Sequence, residues 1–375
     1  MSTKLLPVSL SAALLGGTAM ADVPSVAVDI APVHSLVARV MAGVGSPDLI
    51  VPPGASPHEY SLRPSEAEAL QNADVVFWMG EDLAPWMEDA VETLATDAAV
   101  TTLLEIDETS LLEFREGALF EAHDHGDEDH GDHDEDEHGH DEHAEDSHGA
   151  EDHAEGEDGH DEHAEKDHGH DDHAEDEHGH EEHAEDEHGH EEHAEDEHGH
   201  EGHDHGAHDP HAWLSPDNAS AWLNVIAAEL SATDPDNAGA YFANAAAGRA
   251  EIDAVKTEIS ATLDPARGKS FVVFHDAYQY FETAFDIPAS GAISLGDATD
   301  PSPARIAEIQ ERVRDEGIDC VLSEPQYNPG LVAVVLDGTE AKTGVLDPLG
   351  SDLEPGPGMY PQLLRNLAGV LAGCL

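Results

Sequence analysis

The sequence predicts an α/β protein of two lobes, each a parallel sheet flanked by helices, with a long rigid helix joining them. Three observations carry that expectation. Short β-rich runs alternate with helical patterns in two separate series, and strand–helix–strand order implies parallel strands with helices on the faces. An Ala-rich helical stretch at 234–263 stands between the two series. With 375 residues, the chain is long enough for two cores.

Taken in order, residues 1–21 read as an export signal. Lys4 supplies the positive start, "LLPVSLSAALLGG" a short apolar run, and "AMA" at 19–21 a small-x-small cleavage site ending at Ala21. The run is too short to span a bilayer. No cysteine lies near the cleavage point, so no lipid anchor is expected; the mature protein is read as a periplasmic monomer. The first lobe, 22–233, holds the strand-like runs "VAVDI" (26–30), "PDLIV" (47–51), "ADVVFWMG" (73–80) and "AVTTLLEI" (99–106), with Ser65 and Glu68 in capping-box register between the second and third. The linking helix, 234–263, opens with Asp234 as N-cap and Pro235 in its first turn. Tyr241, Ala245, Ile252, Val255, Ile259 and Leu263 fall on one face, and such a helix would run about 45 Å. The second lobe, 264–375, holds "SFVVF" (270–274), "ASGAIS" (289–294), "CVLSE" (320–324) and "TGVLD" (343–347). Cys320 and Cys374 are the only cysteines; a lone pair in an oxidising compartment reads as a disulfide.

The first lobe is interrupted at 121–209 by a segment of another kind. It carries 41 acidic residues and a single lysine, about −40 of the chain's formal charge of −69. His133, His143, His153, His163, His173, His183, His193 and His203 recur every tenth residue. Like charges repel and the apolar content is small, so the metal-free segment is expected to be disordered. The remainder of the chain is acidic too, which argues against nucleic acid or anionic lipid as a partner.

Of 29 histidines, 25 lie in 123–208, which leaves His34, His58, His211 and His275. Each lies just beyond a strand-like run or in a connecting loop. In open α/β sheets, ligands bind outside the carboxyl ends of strands, so two facing lobes would gather these loops, and Asp347 with them, in the cleft between. Singly, a loop histidine is structural or solvent-exposed more often than it is a ligand. His34, in a strand–helix turn, reads better as structural.

"GASPHEYSLRPS", "DPHAWLSP", "FHDAYQYF", "SEPQYNP" and "LDPLG" resemble, in order, the motifs of the metal-binding class of periplasmic solute-binding proteins. Within that class they are most similar to the zinc-binding (ZnuA-like) components of ABC importers. The resemblance spans the mature chain apart from the insertion, and acidic His-rich insertions have counterparts in the family. It implies a metal site in the inter-lobe cleft with His58, His211 and His275 as ligands. Asp347 would be the fourth ligand, with Glu59 or water as alternatives. Where a Glu ligand is known it precedes the histidine, and this chain has Pro57 there, which disfavours Glu59. The resemblance also implies pairing of Cys320 with Cys374 and an inner-membrane ABC permease as partner. Manganese-binding relatives carry a Glu where His275 stands.

Three neutral imidazoles and at most one carboxylate suit Zn2+, although Cu2+ or Ni2+ would also bind such a set. Asp209, Asp276 and Glu324 are candidate acceptors for the imidazole N–H groups that do not face the metal. In the repeats, His173, His178, His180, His183, His188, His190, His193, His198, His200 and His203 follow intervals of 5, 2 and 3 residues. They can form many weak, interchangeable zinc sites, acting as collector, sensor or feeder, or they are a solubilising expansion with no selected role. The alternatives are a zinc buffer acting mainly through this segment, or a carrier of manganese or another divalent metal. A metallohydrolase is disfavoured: no H-E-x-x-H occurs, and Glu59 is the one obvious general base. The expectation is a non-enzymatic transport protein.

Overall fold

The structure is a computed structural model that describes residues 23–115, 120, 208–294 and 301–375. The predicted export signal and the ten repeat histidines singled out above lie outside the described residues.

Both lobes have the same plan. In the first, β1 (Val26–Val28), β2 (Asp48–Leu49), β3 (Val75–Trp78) and β4 (Ala99–Thr102) form a parallel sheet of order β2-β1-β3-β4. In the second, β5 (Phe271–His275), β6 (Gly291–Ser294), β7 (Cys320–Ser323) and β8 (Lys342–Val345) repeat it as β6-β5-β7-β8. Each strand-like run overlaps its strand; β5 extends one residue past its run, to His275, and β8 starts one residue early, at Lys342, whereas the others are shorter than their β-rich sequences. The first stops at Val28 because the Asp29 carboxylate accepts from Ile30 N (2.7 Å) and Met79 N (2.6 Å), turning the chain away at the carboxyl end. The run at 99–106 ends as a 3-10 turn, Leu103–Glu105.

Helices α2 (Pro64–Gln71) and α3 (Pro85–Leu94) share a core with the first sheet, and α7 (Pro303–Asp315) and α8 (Pro329–Leu336) with the second. Between the sheets, α1 (Ala31–Val40), α4 (Pro216–Thr233), α5 (Ala238–Leu263), α6 (Gln279–Phe285) and α9 (Met359–Cys374) share one continuous core that reaches both lobes. The linking helix α5 buries all six residues of the expected face, and Gly248 with them. A Cβ on Gly248 would lie 2.9 Å from Leu223 Cδ1, so glycine permits α4 and α5 to approach. Packed against α1, α4 and α9, α5 is stiff over about 39 Å.

Two helix starts differ from expectation. In α2, Arg63 is the N-cap and Glu66, at the third helical position, accepts from Arg63 N at 2.7 Å. Pro64 fits the first helical position and sets this register in place of Ser65 and Glu68. Asp234 closes α4, and its carboxylate accepts from Asn237 Nδ2 (2.7 Å) and Tyr241 Oη (2.9 Å). A 3-10 turn, Pro235–Asn237, therefore precedes α5. The C-terminal helix ties the molecule together. Cys374 is disulfide-bonded to Cys320, Tyr360 Oη donates to Trp213 O (2.8 Å), and Ser35 Oγ accepts from Tyr360 N (2.9 Å).

Candidate metal centre

In each sheet the strand order reverses between the first and second neighbours of the opening strand, and the crevice at such a point is where open α/β sheets take ligands. In the second lobe, β5 and β7 flank it. His275 ends β5 and Glu324 follows β7. His275 Nδ1 lies 2.8 and 2.7 Å from the two Glu324 oxygens, and His275 N donates to the same carboxylate at 3.1 Å. Both residues are 3 % exposed. In the first lobe the equivalent crevice is closed by Asp29, so that lobe supplies histidines from two loops.

His211 precedes the 3-10 turn Ala212–Leu214 that leads into α4. Asp209 folds back onto it, accepting from His211 N at 2.9 Å and from Nδ1 at 2.7 Å. Asp209, assigned to the insertion from sequence, is 1 % exposed and part of the folded body. Its backbone N donates to Leu112 O at 2.8 Å, beside an antiparallel bridge between Glu113 and His208. His58 is in the loop after β2, where Trp86 Nε1 donates to Pro57 O at 2.6 Å and His58 N to Ser56 Oγ at 3.3 Å.

These placements converge. Asp209 and Glu324 as carboxylates can only accept, so the shared proton sits on each Nδ1, and the two Nε2 atoms present lone pairs. They face one another at 3.4 Å. One ligating nitrogen from each of His58, His211 and His275 lies within 4.8 Å of the others. Two facing lone pairs repel unless a cation lies between, and a third nitrogen makes the group a donor set that a divalent ion can satisfy. The free space among them, about 10 Å³, is of the size of one water-sized sphere.

Other predicted residues lie elsewhere. His34 is buried in α1 with Nε2 3.1 Å from Pro47 O; burial pushes its pKa below the usual imidazole value. Glu59 is exposed. Asp347 is outside the three-histidine group. Its carboxylate accepts from Gln326 Nε2 (3.2 Å), Leu349 N (3.0 Å), Ser351 N (2.6 Å) and Ser351 Oγ (2.6 Å). Asp276 bonds the Arg115 guanidinium, which also holds Glu282 at 2.7 Å. Burial raises the pKa of both acids although Arg115 opposes it. Burial acts against the Arg115 charge, but the two carboxylates outweigh it and hold that group above its ordinary value.

The sequence reading missed Gln326, Arg115 and Tyr278. Tyr278 Oη donates to Leu346 O at 3.0 Å, and burial, then Glu324 and Asp347, push its pKa well above the phenol range. Arg115 had a signal: it is among 14 cations set against 83 acids, so each cation of the folded body merited attention.

The family model for "Zinc-uptake complex component A periplasmic" (ZnuA) matches residues 26–374. The high-affinity zinc uptake system protein ZnuA of Brucella abortus is 41% identical over 364 residues, covering 97% of this chain and 95% of its own. The protein of the same name from Paracoccus denitrificans is 40% identical over 368 residues, covering 97% and 96%. A crystal structure of ZnuA superposes with a TM-score of 0.63 at 18% identity, over 94% of this chain and 99% of that one, a likeness of fold. Two helix-flanked parallel sheets, a convergent trio of histidines and a match over nearly the whole chain agree, and the chain belongs to the ZnuA family of periplasmic zinc-uptake components.

Proposed function

We propose that this protein captures Zn2+ in the periplasm at His58, His211 and His275 and delivers it to an inner-membrane ABC permease, with water in the fourth coordination position. The observation that carries the reading is the pair of Nε2 atoms at 3.4 Å, each backed by a buried carboxylate on Nδ1. Carboxylate–histidine–metal chains of this kind fix the tautomer and raise the basicity of the ligand. Three neutral imidazoles favour a borderline cation in tetrahedral geometry over the harder ions that prefer oxygen, which weighs against manganese. The relatives' name, high-affinity zinc uptake system protein, supports the same ion. Asp347 is engaged by four hydrogen bonds from its own loop and from Gln326, and water fits the fourth position better. Residues 1–21 are removed on export, and the repeat histidines act as an auxiliary zinc collector.

Competition against a chelator of known affinity tests the assignment. His58→Ala, His211→Ala and His275→Ala should each weaken the tightest zinc site at least tenfold, whereas Asp347→Ala should change it by about threefold or less. Affinity should fall on acidification, because protons compete for the same nitrogens. An unchanged tight site in His275→Ala refutes the reading.

A further inference from the structure

We propose that Gln326 selects what occupies the fourth position on the cation: its amide oxygen accepts a hydrogen bond from a cation-bound water and disfavours an anion there. The inference rests on the three-histidine reading above. Gln326 lies three residues beyond β7 and lines the same small cavity as His58, His211 and His275. Its Nε2 donates to Asp347 Oδ1 at 3.2 Å. That oxygen belongs to a carboxylate that only accepts, so the orientation of the amide is set: NH2 toward Asp347, oxygen away from it. The oxygen, Oε1, is buried and has no hydrogen-bond partner among the described residues. Folded proteins leave few buried acceptors unpaired, so a donor is called for at this place.

The nearby rings of His211 and His275 do not provide it, since their protons are held on Nδ1 by Asp209 and Glu324. A water on a divalent cation does. Its O–H groups are polarised by the metal and donate strongly. Chloride, azide or thiocyanate in the same position has no proton to offer. It would face the carbonyl lone pairs of Gln326, with the Asp347 carboxylate behind them. Gln326 is thus a positioning residue, and Asp347, outside the histidine group, acts through it.

The test uses the full mature chain loaded with less than one equivalent of Co2+, so that the tightest site fills first, and follows the visible d–d bands during azide titration. In Gln326→Leu, and in Gln326→Met as a second probe of similar shape, azide should change the spectrum at a concentration at least fivefold lower than in the unaltered protein. Gln326→Glu, which keeps an acceptor, should resist azide at least as well as the unaltered protein. Zinc affinity in Gln326→Leu should fall about three- to tenfold, the worth of one hydrogen bond. Equal azide dependence in the unaltered protein and in folded Leu or Met variants, judged by melting temperature, overturns the role of Gln326. Unchanged d–d bands in His275→Ala would instead overturn the histidine site on which it depends, so the two failures are distinct.

Discussion

Glu324 and Asp209 decide which nitrogen of each histidine carries the proton. By taking the Nδ1 proton of His275 and His211 they leave both Nε2 atoms as donors toward the same point. Replacing Glu324 by Gln keeps the shape and an acceptor but removes the charge that supports the imidazole as a ligand. Glu324→Gln should therefore lower zinc affinity about 10- to 100-fold and leave the melting temperature of the metal-free protein within a few degrees. Chelator competition beside a thermal melt checks this, and a variant that binds as tightly as the parent would deny the carboxylate any part in binding. The three histidines that converge stood out in the sequence because nearly all the others crowd into the repeats and because their motifs resemble those of a known family. Asp276 was legible only as an acid near a histidine. Its commitment to Arg115, 161 residues away, depends on how the lobes meet. At Asp347 the motif marks a loop, but the hydrogen bonds its carboxylate accepts from Leu349 N, Ser351 N and Ser351 Oγ come from the turn that follows and are not visible in the sequence.

Among elements, β1, β3, β5, β6 and β7 are buried along their length and read as hydrophobic stretches, whereas β2, β4 and β8 are partly exposed and were found through strand–helix–strand order. Their ends were illegible, since at the carboxyl edges side chains such as Asp29 take over the backbone bonds. Helix starts followed proline more faithfully than capping-box spacing: Pro64, Pro85, Pro216, Pro303 and Pro329 each open a helix. Pro235 gives a 3-10 turn because Asp234 already terminates α4, and Pro265 likewise lies in a 3-10 turn, Asp264–Ala266. The C-terminal helix was anticipated only through its cysteine. The Cys320–Cys374 bond closes a loop with a sequence separation of 54, which chain-entropy arithmetic values at about 4 kcal/mol. Replacing both cysteines by Ser should lower the melting temperature by on the order of 10 °C. Cys320 stands at the start of β7 and Glu324 just past its other end, so zinc affinity should move by less than about threefold. Calorimetric melts with and without reductant test this; an unchanged melting temperature in the double variant would show that the bond adds no stability.

For the whole molecule, the decisive contrast is between a body that positions three histidines and a segment that only accumulates them. Residues 121–207 contain no apolar side chain larger than alanine, so by composition they have nothing to add to either core. Where the chain rejoins the body, His208 bridges to Glu113 and Asp209 N donates to Leu112 O at 2.8 Å. A deletion that respects this join ends at residue 207. Removing 123–207 and linking the ends with a few glycines takes away 24 histidines and 39 acidic residues but no ligand of the proposed centre. The shortened protein should melt within a few degrees of the parent and keep a single tight zinc site of unchanged affinity. The additional zinc equivalents seen in calorimetry should disappear. Each of those equivalents must order a flexible chain to bind, and so should be weaker than a preformed site. Negative potential and local density would still hold cations nearby and raise the chance of rebinding, an advantage only when zinc is scarce. Growth of the deleted strain should then fall behind in chelator-treated medium and match the parent in zinc-replete medium. Loss of the tight site on deletion would instead place a ligand of the centre within the repeats. Equal growth under chelation would leave the repeats with no part in uptake.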